Sequence, residues 1–334
     1  MMSSQTKSPI IGIILLFSGV IITCFILYKS ANPLQFLPFS TSLSFSSPST
    51  NSTQVNELEV ILERASNENK TVIITTLNRA WAEPNSTFDL FLKSFRVGQG
   101  TEKLLNNLVA VCLDPIAYNR CLEVHSICYS LTTAGNNFTD EAFFMSQSYL
   151  DMMWRRIEFL TSVLELGYSF VFTDADIMWL RDPFSRFFPN GDFQIACDNF
   201  YGNPLDLNNR PNGGFTYVKS NNRSIEFYKF WYSSRLTYPG KHDQDVLNVI
   251  KKHPFIREIG LQIRFLDTVY FGGFCEPSKD LNVVCTMHAN CCVGLWKKVH
   301  DLNLVLEDWS NFLSLNQTQR AQSKSWSVPS KCGF

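Results

Sequence analysis

Two carboxylates one residue apart, Asp174 and Asp176, follow the apolar run Phe170-Val171-Phe172 and precede a second one, Ile177-Met178-Trp179. A continuous apolar run of this length fits a strand buried on both faces. At the end of such a strand little screens the two charges. They repel unless a cation sits between them or one takes up a proton. Oxygen ligands suit a hard divalent ion, Mg2+ or Mn2+, which keeps positions open for phosphate oxygens. The plainer use of the same letters is an Asx turn closing a strand. The amphipathic segment Tyr149 to Leu166 just upstream strengthens the metal reading, because it supplies a helix to lead into the buried strand.

The elements that would position these carboxylates read as follows. Leu58, Ile61 and Leu62 give Glu57 to Ala65 helical spacing, and Thr71 to Asn78 is a first buried strand ending in polar residues. A Pro84-Asn85-Ser86 turn leads into a helix over Phe88 to Arg96, and Leu108 to Asp114 is a second buried strand stopped by Pro115. Gly167 closes the helix that ends at Leu166. This strand–helix alternation implies an α/β protein with a mostly parallel sheet covered on both faces. Ligands of such sheets bind beyond the carboxyl ends of the strands, where Asn78, Asp114, Asp174 and Asp176 fall. Further on, Phe193 to Asp198 reads as a strand and Asn209 to Val218 as a turn entering another. Ile225 to Arg235 reads as a helix, and Asp243 as the N-cap of a helix over Val246 to Lys252. Ile263 to Phe271 is expected to be extended, Gly272 to Cys275 a turn, Asp301 onward a closing helix, and the tail from Asn316 unstructured.

The chain has 334 residues, 28 of them Phe, enough for one large domain or two small ones with a filled core. A net charge of −1 argues against nucleic acid as a partner. Ile10 to Tyr28 carries no charge and lies between Lys7 and Lys29. As a helix it spans roughly 28 Å, close to a bilayer core. It ends in Cys24-Phe25-Ile26-Leu27-Tyr28 rather than in the small residues of a cleavage site. The expectation is therefore an uncleaved anchor with its N-terminus in the cytosol and the bulk of the chain in a lumen. The expected organisation is 1–30 tail and anchor, 31–68 Ser/Thr/Pro-rich stem and short helix, 69–315 folded domain, and 316–334 C-terminal tail.

Asn51, Asn69, Asn85, Asn137, Asn222 and Asn316 each begin an Asn-x-Ser/Thr sequon, which supports passage through a secretory pathway. Of ten cysteines, Cys24 lies in the apolar stretch. Among the other nine, Cys121/Cys128 and Cys275/Cys285 are close pairs suited to disulfides. Nine is odd, so at least one thiol stays free or pairs between chains, which leaves room for a homodimer. A zinc site is disfavoured, since no Cys-x-x-Cys occurs.

Five strings occur in order: FVFTDADIMWLRDPF, RPNGGF, YPGKHDQDVLN, FGGFC and CTMHANCC. Together they closely resemble the plant nucleotide-diphospho-sugar transferase family, which belongs with the family 77 glycosyltransferases, arabinosyl- and xylosyltransferases of cell-wall biosynthesis among them. The resemblance covers about residues 70–315. It implies a GT-A fold, a type II Golgi membrane enzyme, a nucleotide-sugar donor (a UDP-sugar of the arabinose, xylose or galactose class), a glycan or glycoprotein acceptor, manganese dependence and retention of anomeric configuration.

By that resemblance, Asp174 and Asp176 are the metal-binding pair and His288 a third ligand, a role that a neutral imidazole suits. The alternative for His288 is a structural hydrogen bond beside a disulfide. Lys297 resembles the lysine that holds the diphosphate, with Lys298 able to serve instead. Asn212-Gly213-Gly214 offers an amide to the donor sugar, and its glycines permit close approach and positive φ, although a hairpin turn would use the same letters. Asp243, Gln244 and Asp245 resemble the string beside the anomeric carbon and would equally cap and open a helix. One of Arg155 and Arg156 is expected to face the donor phosphates, and Thr75, Thr76 and Asn78 the nucleotide.

Two other readings compete. A haloacid-dehalogenase-type phosphotransferase also ends a strand in Asp-x-Asp, but there the pair opens the domain and a Thr stands where this chain has Met178. A retired transferase domain, kept as a sugar-binding scaffold, should have lost a metal ligand, yet Asp174, Asp176 and His288 are all present.

Overall fold

The computed structural model describes residues 50–131, 138, 145–322 and 326–333. The first half runs α1 (Thr50–Ala65), β1 (Thr71–Leu77), α2 (Arg79–Ala82), α3 (Thr87–Val97), β2 (Leu108–Cys112), α4 (Pro115–Val124), β3 (Cys128–Ser130), α5 (Gln147–Glu165) and β4 (Ser169–Thr173). Then come β5 (Ile177–Trp179), β6 (Phe193–Asn199), β7 (Arg210–Val218), α6 (Asn222–Ser234), α7 (Asp243–Ile250), α8 (Pro254–Glu258), β8 (Ile263–Phe265), β9 (Phe271–Gly273), β10 (Thr286–His288), α9 (Leu295–Ser314) and α10 (Gln317–Gln322).

Seven strands form one sheet in the order β3-β2-β1-β4-β7-β6-β8. The β1–β2, β1–β4, β2–β3 and β6–β8 pairings are parallel, and β7 runs antiparallel to both β4 and β6. The sheet is therefore mostly parallel, as the strand–helix alternation predicts. Alternate residues of β1 feed opposite cores. Val72 and Ile74 pack with Trp154, Phe170, Phe172 and Trp231, while Ile73 and Leu77 join Phe91, Phe95, Trp179 and Trp309. Burial on both faces explains why the central strands read as unbroken apolar runs.

The run through Asp174 and Asp176 is not one strand. β4 stops at Thr173, the chain turns, and β5 joins β10 and β9 in a separate three-stranded sheet. The two carboxylates sit at that junction. β1 and β4 flank the point where strand order reverses, the usual ligand position in open α/β sheets.

Several local expectations are corrected. Asn212-Gly213-Gly214 and Gly272-Gly273 lie inside β7 and β9, not in turns. Neither Gly213 nor Gly214 has a positive φ, so close approach is what their missing side chains permit. The N-cap of α7 is His242, whose Nδ1 accepts from Gln244 N at 3.2 Å; Asp243 is the first helical residue, with its carboxylate turned inward. Cys121–Cys128 is bridged as expected, but Cys275 pairs with Cys291, and Cys292 with Cys332. The reason is register: β9 and β10 run parallel with His288 opposite Gly273, so the residues just beyond each strand end come side by side. Cys112, Cys197 and Cys285 are free and buried, which removes the basis for a cysteine-linked homodimer. The supposedly loose tail carries α10 and is held by the Cys292–Cys332 bridge and by Asp301, which accepts from Ser330, Lys331 and Cys332 N–H groups.

The expected placement as a single-pass Golgi membrane protein is also corrected. Among the described residues no helix is long and apolar enough to cross a membrane, and the stretch 10–28 lies outside them.

Candidate metal and donor site

A cleft of about 490 Å³ opens at the carboxyl edge of the sheet, lined by residues at or just beyond the ends of β1, β2, β4 and β6 and by the start of β7. Antiparallel pairing of β5 with β10 sets His288 opposite Ile177, and therefore beside Asp176. The ligand atoms of Asp174, Asp176 and His288 all lie within 4.8 Å of one another. His288 Nε2 stands 3.2 Å from Asp176 Oδ1 and 4.0 Å from Asp174 Oδ2. No hydrogen bond forms across the first contact, so among the described residues Asp176 Oδ1 is buried without a hydrogen-bond donor. A buried carboxylate oxygen left in this state is costly unless something positive completes it. Two carboxylates and an imidazole suit Mn2+ or Mg2+, and the residues present fit a divalent ion.

Lys298, on the first turn of α9, donates to Asp176 Oδ2 at 2.5 Å and to Ala289 O at 3.0 Å. Burial works against ionising Asp176, but Lys298 and His288 outweigh it and hold that carboxyl below the usual range. Asp174 moves the other way, because burial and the neighbouring Asp176 exceed the help from Arg156. The pair is thus polarised, with Asp176 the firmly charged member.

Gly214 makes the approach possible. Its carbonyl accepts from Asp174 N at 2.7 Å, and a Cβ there would meet His288 Cε1 at 2.5 Å and Asp174 Oδ2 at 2.7 Å. Beside it, Gly213 N donates to Gln244 Oε1 at 2.9 Å, and Gln244 Nε2 donates to Asp198 Oδ2 at 3.1 Å. Asp198 Oδ1 also accepts from Asn212 Nδ2 and Asn290 Nδ2, each at 2.8 Å. Arg156 spans from Asp174 Oδ1 (3.1 Å) to Asp243 Oδ2 (2.6 Å), tying the metal trio to the first turn of α7.

The expected residues divide cleanly. Thr76, Asn78, Arg156, Asp174, Asp176, Asn212, Gly213, Gly214, Asp243, Gln244 and His288 line the cleft, and Thr75, Arg155, Asp245 and Lys297 do not. Thr75 is buried within β1, and Arg155 pairs with Glu158 at 2.5 Å. Asp245 is 45% exposed near His242 Nε2, and Lys297 lies beside the exposed Trp296 ring. Of the two lysines offered for the diphosphate, Lys298 is the one that lines the cleft. Asp198 and Asn290 escaped the sequence reading. For Asp198 a signal existed: β6 runs in the direction of β4, so its polar end falls on the same sheet edge. Of the sequon asparagines, Asn69, Asn85, Asn222 and Asn316 are exposed; the Asn51 side chain and Asn137 lie outside what is described.

An α/β fold with a carboxylate–imidazole trio at its strand ends, faced by a buried Arg–Asp pair, is an arrangement able to hold a divalent ion beside a phosphorylated ligand. The family profile of nucleotide-diphospho-sugar transferases matches residues 103–302, and the chain belongs to that family. It is a glycosyltransferase. It is 55% identical to Uncharacterized protein At4g15970 of Arabidopsis thaliana, over 83% of this chain and 74% of that one. A more distant relative is UDP-D-xylose:L-fucose alpha-1,3-D-xylosyltransferase 1 of Arabidopsis thaliana, 26% identical over 62% of this chain and 56% of the other. UDP-galactose:fucoside alpha-3-galactosyltransferase of Dictyostelium discoideum matches at 32% over 25% of this chain and 14% of its own.

Proposed function

We propose that this glycosyltransferase takes a sugar from a UDP-sugar in a reaction that needs a divalent ion, Mn2+ or Mg2+, and transfers it with retention to a hydroxyl of a glycan or glycoprotein. The observation that carries the reading is the buried Asp176 Oδ1, without a hydrogen-bond donor and within reach of Asp174 and His288. UDP is favoured because both named donors among the relatives, UDP-xylose and UDP-galactose, carry it. The transferred sugar is xylose, galactose or arabinose.

Asp174, Asp176 and His288 would hold the ion, which when bound offsets charge growing on the departing diphosphate. Lys298 adds a fixed cation beside it. Thr76 and Asn78 stand at the end of β1, where the nucleoside would lie against Trp81 and Leu113. Asn212, Asp198, Asp243 and Gln244 surround the position left for the sugar, and their carboxylates face the positive charge that develops at its anomeric carbon. The bond from that carbon to the diphosphate oxygen breaks, a bond to the acceptor oxygen forms, and the acceptor's proton leaves with the diphosphate as UDP is released.

The test is thermal stability of the purified chain against UDP-xylose, UDP-galactose and UDP-arabinose, with Mn2+ or with chelator. A ligand at 100 times its Kd should add about 2.7 kcal/mol. Metal-dependent stabilisation by a UDP-sugar, absent from the Asp174→Ala/Asp176→Ala variant, is the expected result. A well-folded sample indifferent to every UDP-sugar would point to a retired domain instead.

A further inference from the structure

The cleft has two unlike walls. One is built from β10, the segment after it and α9, and carries His288, Asn290 and Lys298. The other is built from α5 and the first turn of α7. On α5, Tyr149, Met152, Met153 and Arg156 recur at i, i+3, i+4 and i+7, so one face of the helix presents all four, and all four line the cleft. Arg156 is the deep end of this stripe, locked to Asp174 and Asp243. Toward the start of the helix the stripe turns apolar. Met153 is buried, Met152 and Tyr149 are half-buried, and the Tyr149 ring meets the His242 ring edge-on at 6.3 Å.

The donor as proposed above leaves the apolar part of this stripe unused. Its diphosphate needs the charged wall, its base has Trp81 and Leu113 at the β1–β2 end, and its sugar hydroxyls have the Asn212, Asp198 and Gln244 network. The stripe nevertheless adjoins Asp243 and Gln244, beside the position left for the transferred sugar. A sugar ring has a face of C–H bonds as well as a rim of hydroxyls, and an apolar or aromatic side chain stabilises that face by taking it out of water. Methionines fit irregular outlines, so such a wall tolerates more than one ring.

We infer that Tyr149, Met152 and Met153, with His242 at their edge, form the subsite for the acceptor sugar. This inference rests on the donor reading above. The ligand class is a glycoside whose ring lies with its C–H face on Tyr149 and Met152 and with one hydroxyl turned toward Asp243 and Gln244. Specificity for the acceptor would then reside on α5, while specificity for the donor resides on the sheet edge.

The experiment uses the full chain with Mn2+ and the UDP-sugar that stabilises it most, following UDP release. A panel of methyl pentosides, hexosides and 6-deoxyhexosides serves as acceptor. In the wild type at least one glycoside should accelerate UDP release saturably above the rate in water. Met152→Ala and Tyr149→Ala should each raise the KM of that glycoside about tenfold or more, as for loss of an apolar contact. Tyr149→Phe should restore it, since the ring and not the hydroxyl makes the contact. UDP affinity and hydrolysis without acceptor should stay within about twofold of wild type. The subsite assignment falls if the variants leave the glycoside KM unchanged, or weaken UDP binding as much as they weaken the glycoside. It falls also if no glycoside accelerates a chain that binds UDP and hydrolyses the donor. Absence of UDP binding altogether would remove the donor reading, and this inference with it.

Discussion

Arg156 Nη2 donates to Asp243 Oδ2 at 2.6 Å, joining two buried side chains that stand 87 residues apart in the sequence. Burial alone would favour a neutral Asp243, but the guanidinium outweighs it and holds that carboxyl below the usual range. The same guanidinium reaches Asp174, so one side chain fixes the metal trio relative to the helix that carries Gln244. Buried charges of this kind survive only in pairs. Arg156→Ala should therefore cost about 3–5 kcal/mol in urea unfolding, because buried Asp243 loses the guanidinium that offsets its burial. Arg156→Lys should recover part of that stability but not UDP affinity, since a single ammonium cannot make both contacts. Wild-type stability in Arg156→Ala would disprove the linkage.

The two glycines of β7 should behave differently although they are neighbours. A Cβ on Gly214 collides with His288 and Asp174, whereas one on Gly213 meets nothing closer than 3.6 Å. Gly214→Ala should lose metal-dependent UDP binding and about 1–3 kcal/mol of stability, the usual cost of overpacking. Gly213→Ala should keep both nearly intact. Calorimetric titration of UDP with and without Mn2+ separates the two, and equal losses would mean that the trio does not depend on this close approach.

A similar contrast separates the two lysines. Lys298 touches Asp176, and Lys297 lies outside the cleft. Lys298→Ala should weaken UDP by about 10- to 100-fold, the range of one lost charged hydrogen bond, and Lys297→Ala by less than about twofold. UDP titrations decide it. The reverse ranking would restore Lys297 to the position that the family resemblance gave it.

The fold and the centre of the site were legible because they rest on local patterns. Val72-Ile73-Ile74 and Phe170-Val171-Phe172 announce strands covered on both faces, and Asp174 and Asp176 fall at a strand end by spacing alone. What escaped depends on pairing between distant segments. β5, β9 and β10 are three residues each, too short for any period, so Gly272-Gly273 reads as a turn and Cys275 finds Cys291 only once β9 and β10 lie side by side. Lys297 and Lys298 are adjacent letters, and only the phase of α9 decides which faces the cleft. His242 displaced Asp243 as helix cap for a tertiary reason, since Asp243 is drawn to Arg156 from another helix.

Acid sensitivity should trace in part to Asp192, a buried carboxyl ahead of β6 that does not line the cleft. It accepts from Arg223 Nε at 2.9 Å and Nη2 at 2.8 Å, from Asn221 Nδ2 at 3.0 Å and from Gln262 N at 2.9 Å. Burial opposes its ionisation, but these donors prevail and hold it below the usual carboxylate range. An unfolded chain returns it to about 3.9. Because the folded value is the lower one, the unfolded state binds protons first as pH falls. The contribution of Asp192 is thus complete above the unfolded value and is lost as pH drops through the folded one. The share of urea stability that Asp192 contributes should be level near neutrality and decline below about pH 4. Asp192→Asn should be less stable than wild type at pH 7 and should decline less on acidification, so that the two curves converge. Asp301, held low by the N–H groups of residues 330–332 once burial is overcome, titrates in the same direction in both proteins and cancels in the difference. Curves that stay parallel from pH 7 to pH 3 would show that Asp192 contributes nothing through its charge.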